Sequence, residues 1–399
     1  METTRSSNRV LTTVFIISFL NLIGFGIVIP LIPYYAEGFG ANTAVVGFLI
    51  GSYAAAQFLG APLWGRISDH RGRKPVLVIT IIGSVLGYIL FGLANSLLIL
   101  FVSRIFTGFT NGNISVAQAI VTDITDERDR ARGLGLIGAA FGLGLILGPA
   151  LGGFLSRWGY DWPAYAAAFL NFLSLFSVFI WLPETSPRGA ERAAAAGGNA
   201  FSWRALTNAL RRPLVGPVLQ VRFVFALSFS TFATVFAIYA EFGLGYSAQT
   251  TAYLLAYVGG LMVVVQSLLI APLTVRFGEK RLLLYSIFLM TLSLIGWAFS
   301  RNLILLGLVL IPLALAGGVF NTVINSLLSK LVPEYEVGGM LGISASLESS
   351  TRIIAPSIGG YLMQNFGLSA PGVVSAAILV AVLPSAWRLF RERKRSPEE

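Results

Sequence analysis

Residues 144–153 read Gly144-Leu-Ile-Leu-Gly148-Pro149-Ala-Leu-Gly152-Gly153, and 207 positions later Thr351-Arg-Ile-Ile-Ala-Pro356-Ser-Ile-Gly359-Gly360 repeats the plan. Small residues four apart let a helix meet a neighbour backbone to backbone, and the proline bends it. Both stretches lie inside apolar runs long enough to cross about 30 Å of hydrocarbon, for which about 20 residues suffice. A second pair keeps nearly the same offset. Ala61-Pro62-Leu63 returns as Ala271-Pro272-Leu273, each followed by a basic loop with an aligned glycine, Gly72 and Gly278. One short match in glycine-rich helices is chance; two in order at nearly constant spacing mark an internal repeat.

Outward from these stretches the chain resolves into twelve apolar runs, at 10–33, 43–64, 75–94, 97–121, 133–155, 162–182, 214–240, 250–272, 281–299, 302–328, 339–363 and 369–389. The first follows Arg5 and Arg9 as a signal peptide would, but it is too long and lacks a cleavage region, so it reads as a retained span. Segment 187–213 is the one long polar, small-residue stretch, after six spans and before six more. The expected fold is an all-α integral membrane protein. It has an N-terminal six-helix bundle at 1–186, a cytoplasmic linker at 187–213 and a C-terminal six-helix bundle at 214–399. Both bundles begin on the same side, so the repeat is parallel, an architecture of secondary transporters that bind substrate near the midplane.

Composition points the same way. Of 399 residues, 55% are apolar and 12% charged, against roughly a quarter charged in soluble domains. The net charge of +10 would suggest nucleic acid binding in a soluble protein. Sorted by position, with the N-terminus inside, 23 of the 28 basic residues fall on the cytoplasmic side and only Arg157 and Arg301 outside. Topology therefore explains the charge, both termini face the cytoplasm, and nucleic acid is not an expected partner. With no cysteine and one histidine, His70, the chain lacks the groups for disulfide, thiol, zinc or Ser-His hydrolytic chemistry. No enzyme activity, metal or cofactor is expected.

The loop after span two reads Gly65-Arg-Ile-Ser-Asp69-His-Arg71-Gly72-Arg73-Lys74. Gly65 would let span two end against a neighbour, Asp69 would cap or pair with an arginine, and Gly72 would make the tight turn. This segment resembles the G-x-x-x-D-R-x-G-R-K/R signature of the major facilitator superfamily, with His70 in place of an arginine. The resemblance implies the two-bundle fold and a conformational latch made of Gly65, Asp69, Arg71, Gly72 and Arg73. Gly144, Gly148, Pro149, Gly152 and Gly153 resemble the motif of that family's antiporters, which seals the outer side where the halves meet. Asn21-Leu-Ile-Gly24-Phe-Gly26 and Leu182-Pro-Glu184-Thr185 resemble tetracycline and multidrug efflux proteins, the drug:proton antiporter group. Those exporters carry an Asp where this chain has Asn21 and another carboxylate in span nine, where this chain has none.

Polar groups inside spans are expensive and so point to function. Arg104, which with Gly108 resembles the family's R-x-x-x-G element, falls on one helical stripe with Asn111, Ser115 and Gln118. With Asn21, Tyr53, Gln57, Tyr257, Asn321 and Asn325 they form the expected substrate cavity. Of the 18 carboxylates only Glu348 lies deep in a span, with Arg352 one turn on. Desolvation and that guanidinium act on its proton in opposite senses, which makes Glu348 and Arg352 the candidate proton-coupling pair, or a static structural one. Asp123 and Glu241, at span ends, read as solvated or helix-terminal; Arg222 snorkels or reaches Glu348. The expected activity is export of a lipophilic or amphipathic small organic molecule in exchange for protons, by a monomer in a bacterial cytoplasmic membrane. The proton gradient is the energy source. The rival readings are a uniporter, importer or lipid translocator on the same fold, and a non-transporting membrane sensor.

Overall fold

The computed structural model describes residues 2–125, 127–183 and 203–391. Most of the expected linker, 187–202, and Glu184-Thr185 lie outside the described residues. The remaining part of the linker is not a plain tether: Trp203–Arg211 is a helix that buries Leu206 and Ala209, one i to i+3 stripe. Throughout the described residues the elements are helical, because a chain without water must satisfy each backbone N–H and C=O within its own segment.

Among the described residues, eleven helical segments are long and apolar enough to cross a membrane. They are Arg9–Glu37, Thr43–Arg71, Arg73–Gly92, Leu97–Ile124, Gly133–Trp158 and Asp161–Trp181 for spans one to six, then Val215–Gly243, Ala248–Phe277, Glu279–Phe299, Leu303–Lys330 and, as span twelve, Ala370–Trp387. Span eleven is present as a continuous helix, Glu334–Phe366. It falls outside the eleven because its middle, from Ser344 to Arg352, is rich in serine and carries Glu348 and Arg352. The spans expose large apolar side chains, among them Leu98, Phe288 and Ile304, where a soluble protein would put charge. This is a multi-pass membrane protein.

Two expectations about helix ends are corrected. Span two does not stop at Gly65; its helix runs to Arg71, and a side chain at Gly65 would meet nothing within 4 Å. The stop is at Gly72, whose φ of 95° only glycine adopts without strain. Span four is not one helix either. It breaks into Leu97–Thr110 and Asn113–Ile124, so Arg104 and Gly108 lie on a different piece from Ser115 and Gln118. The cause is visible: the Trp64 side chain packs on Gly112 where a Cβ would sit, at 2.6 Å, and its indole N–H donates to the Phe109 carbonyl at 2.7 Å. That carbonyl has left the helical ladder.

Cα proximity divides the chain into two compact units, Met1–Gly198 with Tyr246–Tyr257, and Asn199–Gly245 with Val258–Glu399. In the first, span one packs on spans five and six, span three on four and six, and span two on four. In the second, span seven packs on eleven and twelve, and span nine on ten and twelve. Four of these five packings recur in the second unit, so the repeated sequence motifs carry a repeated packing.

Candidate functional site

The first unit holds its glycine motif in a close crossing with span one. A Cβ on Gly144 would stand 2.8 Å from that of Leu22, and one on Gly148 2.6 Å from the Gly26 Cα. A Cβ on Gly152 would run into the Ile27 carbonyl, and one on Gly26 would meet Pro149 Cδ at 3.2 Å. Gly153 faces another way, towards Ala252 and Gln249 of the Tyr246–Tyr257 segment. Beside it Tyr34 Oη bonds Thr251 Oγ1 at 2.5 Å and donates to the Tyr246 carbonyl at 2.9 Å. Asn21 is turned into the bundle: its Nδ2 donates to Asn171 Oδ1 of span six at 2.7 Å. Tyr257 is exposed and Gln57 half-buried.

At the turn after span two, Arg73 is the hub. It is buried, its Nη1 reaches Asp69 at 2.5 Å and the Ser68 hydroxyl at 2.7 Å, and its Nε donates to Asp123 Oδ2 at 2.8 Å. Asp123 is thus not a solvated span end: its side chain is 13% exposed and ion-paired, because span four ends against the start of span three. Arg71 is exposed. The corresponding corner of the second unit repeats the tie with its charges exchanged. Gly278 has φ 74°, and Glu279 Oε1 accepts from Lys330 Nζ at 2.6 Å and Ser326 Oγ at 2.7 Å. Gly278, Glu279 and Lys330 stand 206 or 207 positions after Gly72, Arg73 and Asp123.

Midway through the spans, among the described residues, charges stand at two places, one in each unit; Glu241, near the end of span seven, is buried rather than solvated. In span four Arg104 is 2% exposed, and its guanidinium carbon lies 4.2 Å from the centroid of the Tyr53 ring. Asn111 Nδ2 donates to the Tyr53 hydroxyl. Gly108 is needed here, since a Cβ would strike the Tyr53 carbonyl. Ser115 is half-buried and Gln118 exposed. In the second unit Glu348 is held by two arginines. Arg352 Nη2 bonds its Oε1 at 3.0 Å, Arg222 Nη2 pairs with its Oε2, and Arg222 Nη1 donates to Asn321 Oδ1 at 2.9 Å. Spacing within one helix placed Arg352 beside Glu348. Arg222, from span seven, completes the cluster by tertiary packing, and the signal for it was its being a second charge inside a span. Asn325, one turn from Asn321, is half-buried and stands outside these bonds. Chemically the cluster is a carboxylate that can take a proton, with two fixed positive charges that compete for it.

A sequence profile described as Major Facilitator Superfamily matches residues 14–311 and 264–399. The chain is 30% identical over 370 residues to human solute carrier family 67 member A1, covering 90% of this chain and 87% of that protein. It is 33% identical over 283 residues to the Escherichia coli tetracycline resistance protein of class C, covering 69% and 70%. The solved structure of the human organic anion transporter MFSD10 (TETRAN) superposes with a TM-score of 0.68 at 24% identity, over 95% of this chain and 99% of that one.

Proposed function

Because the chain belongs to the Major Facilitator Superfamily, and so is a membrane transporter, we propose that it exports a lipophilic or amphipathic organic molecule in exchange for protons. The observation that carries the coupling half is the Glu348 cluster. Among the described residues it holds the carboxylate placed well inside a span and bonded there to more than one cation. Protonation of Glu348 would cancel its charge and release Arg222 and Arg352 from it, and each state of the pair would favour a different conformation of the transporter in an alternating-access cycle. Similarity to tetracycline resistance proteins supports drug efflux as the direction. Asn21 stands where those exporters carry an acid, so the proton route differs from theirs and runs through span eleven. Arg104, Asn111 and Tyr53, with Ser115, Gln118 and Gln57, supply the polar contacts of the substrate path in the first unit. Gly65, Asp69, Arg71, Gly72 and Arg73, at the end of span two and the turn after it, are the latch, and Gly144–Gly153 the outer packing motif. The site of action is a cell membrane, with both termini cytoplasmic and one chain sufficient.

The experiment is transport in proteoliposomes with an imposed pH gradient, screened over cationic, neutral and anionic amphiphiles. The unaltered chain moves at least one compound against its gradient, driven by the pH difference. In Glu348→Gln that accumulation falls at least about tenfold while downhill exchange persists, as expected when a step needing a titratable group is lost. Uphill transport that survives in Glu348→Gln with undiminished dependence on the pH gradient removes Glu348 as the proton carrier.

A further inference from the structure

The break in span four is a half-helix N-terminus placed midway through a membrane span. The first intrahelical bond of Asn113–Ile124 that reaches back to the break runs from Val116 N to the Gly112 carbonyl, at 3.1 Å. The N–H groups of Asn113, Ile114 and Ser115 precede it, and Gly112, in the capping position, offers no side chain to them. Such an end carries the positive pole of the helix dipole, and in hydrocarbon its donors need a partner.

Two asparagines flanking the break, and Arg104 on the half-helix before it, are buried with polar atoms that hydrogen-bond to nothing. Asn113, 2% exposed, has neither Nδ2 nor Oδ1 satisfied. Asn111 spends its Nδ2 on the Tyr53 hydroxyl and leaves Oδ1 without a partner. Arg104, two turns back on the preceding half-helix, has an unbonded Nε, and among the described residues no carboxylate lies within 4.0 Å of its guanidinium. An ionised group deep in a bundle is costly unless something opposite is brought to it. The balance of what is offered is one fixed positive charge, a dipole end and more donors than acceptors. A cation finds no anionic oxygen here; an oxyanion finds several N–H groups.

We propose that Arg104, Asn113 and the N-terminus of the half-helix Asn113–Ile124 form a seat for the carboxylate of an amphipathic organic anion. Tyr53 covers the seat, its ring on the guanidinium and its hydroxyl on Asn111, so that a ligand enters by displacing that ring. Trp64 and Gly112 hold the break open by taking the Phe109 carbonyl out of the helix. The seat rests on the reading of the chain as a transporter of organic molecules and narrows it to compounds that carry an oxyanion beside an apolar body.

The test is equilibrium binding to the purified full-length chain in lipid nanodiscs, with naphthoate as the probe and naphthamide as its uncharged match in shape. The unaltered chain binds naphthoate at least about tenfold more tightly than naphthamide, the gain expected of charge-assisted bonds in a dry site. Arg104→Gln abolishes that preference. Asn113→Ala, which leaves the charge in place, weakens naphthoate by roughly threefold to tenfold and leaves naphthamide unchanged; it also serves if Arg104→Gln does not fold. Acetate competes with naphthoate, as a carboxylate seat requires. Equal binding of the two probes by the unaltered chain, or a preference that persists in both variants, overturns the proposal; sodium chloride displacing naphthoate where acetate does not makes it a halide site and overturns it too. The transport reading fails separately. Selective naphthoate binding without uphill transport of any compound sinks the export assignment and keeps the seat, whereas driven export with no carboxylate preference sinks the seat alone.

Discussion

Removing the Arg73 side chain should cost more than any other single change at the turn between spans two and three. Its side chain is 6% exposed and that of Asp123 13%, so the bond between them is nearly dry. Arg73→Met strands the Asp123 carboxylate, and loss of one partner of such a pair costs about 3 kcal/mol. The Asp69 contact adds little, about 0.3–0.5 kcal/mol, because that carboxylate is 34% exposed and lies one turn away on the same surface. The Ser68 hydroxyl adds about 1 kcal/mol. The expected total is about 4 kcal/mol. Asp123→Asn is milder, at about 1 kcal/mol, since an amide oxygen still accepts from Nε and Asp69 still balances the arginine. In the double variant the stranded charge is gone, so the two changes should fall short of additive by about 2 kcal/mol. Reversible unfolding in mixed detergent micelles gives all four corners of the cycle. A coupling below about 0.5 kcal/mol would refute the assignment of the pair as a buried tie.

Gly152→Val drives a branched side chain into the Ile27 carbonyl and should abolish stable insertion, read as loss of monodisperse protein after extraction, whereas Gly65→Ala, with nothing within 4 Å, should leave yield and unfolding unchanged. Tyr34→Phe removes bonds to Thr251 and to the Tyr246 carbonyl and should lower stability by about 1–2 kcal/mol in the same unfolding assay. Trp64→Phe keeps an aromatic ring on Gly112 but loses the donor to the Phe109 carbonyl; hydrogen exchange at residues 108–113 should speed up at least about tenfold, while exchange in span six stays as it was.

Hydrophobic runs, the sorting of basic residues and the offset motifs made the helix count and the duplication legible, because bilayer thickness and backbone chemistry leave a membrane chain few alternatives. Local pairs were equally readable: Glu348 and Arg352 sit four apart, and a helix puts them side by side. What was not legible came from distant parts of the chain. Arg222 reaches Glu348 across 126 positions and Asn21 finds Asn171 across 150, and neither partnership leaves a trace in spacing. The break in span four is an intermediate case. Asn111-Gly112 is a turn-forming dipeptide, but the polar periodicity running through it invited a continuous helix, and the side chain that decides the matter, Trp64, belongs to span two.

The exchanged polarity of the two corner ties bears on how the chain sorts its own hairpins as it assembles. Two halves built from one plan could trade partners, span three settling on span ten or span nine on span four. Either error brings like charges together: Arg73 would meet Lys330, and Glu279 would meet Asp123. Only the native pairings bring opposite charges into contact at 2.6 and 2.8 Å. The duplicated halves therefore carry complementary keys that reject one another's locks, and recombination between them must move both sides of a tie at once.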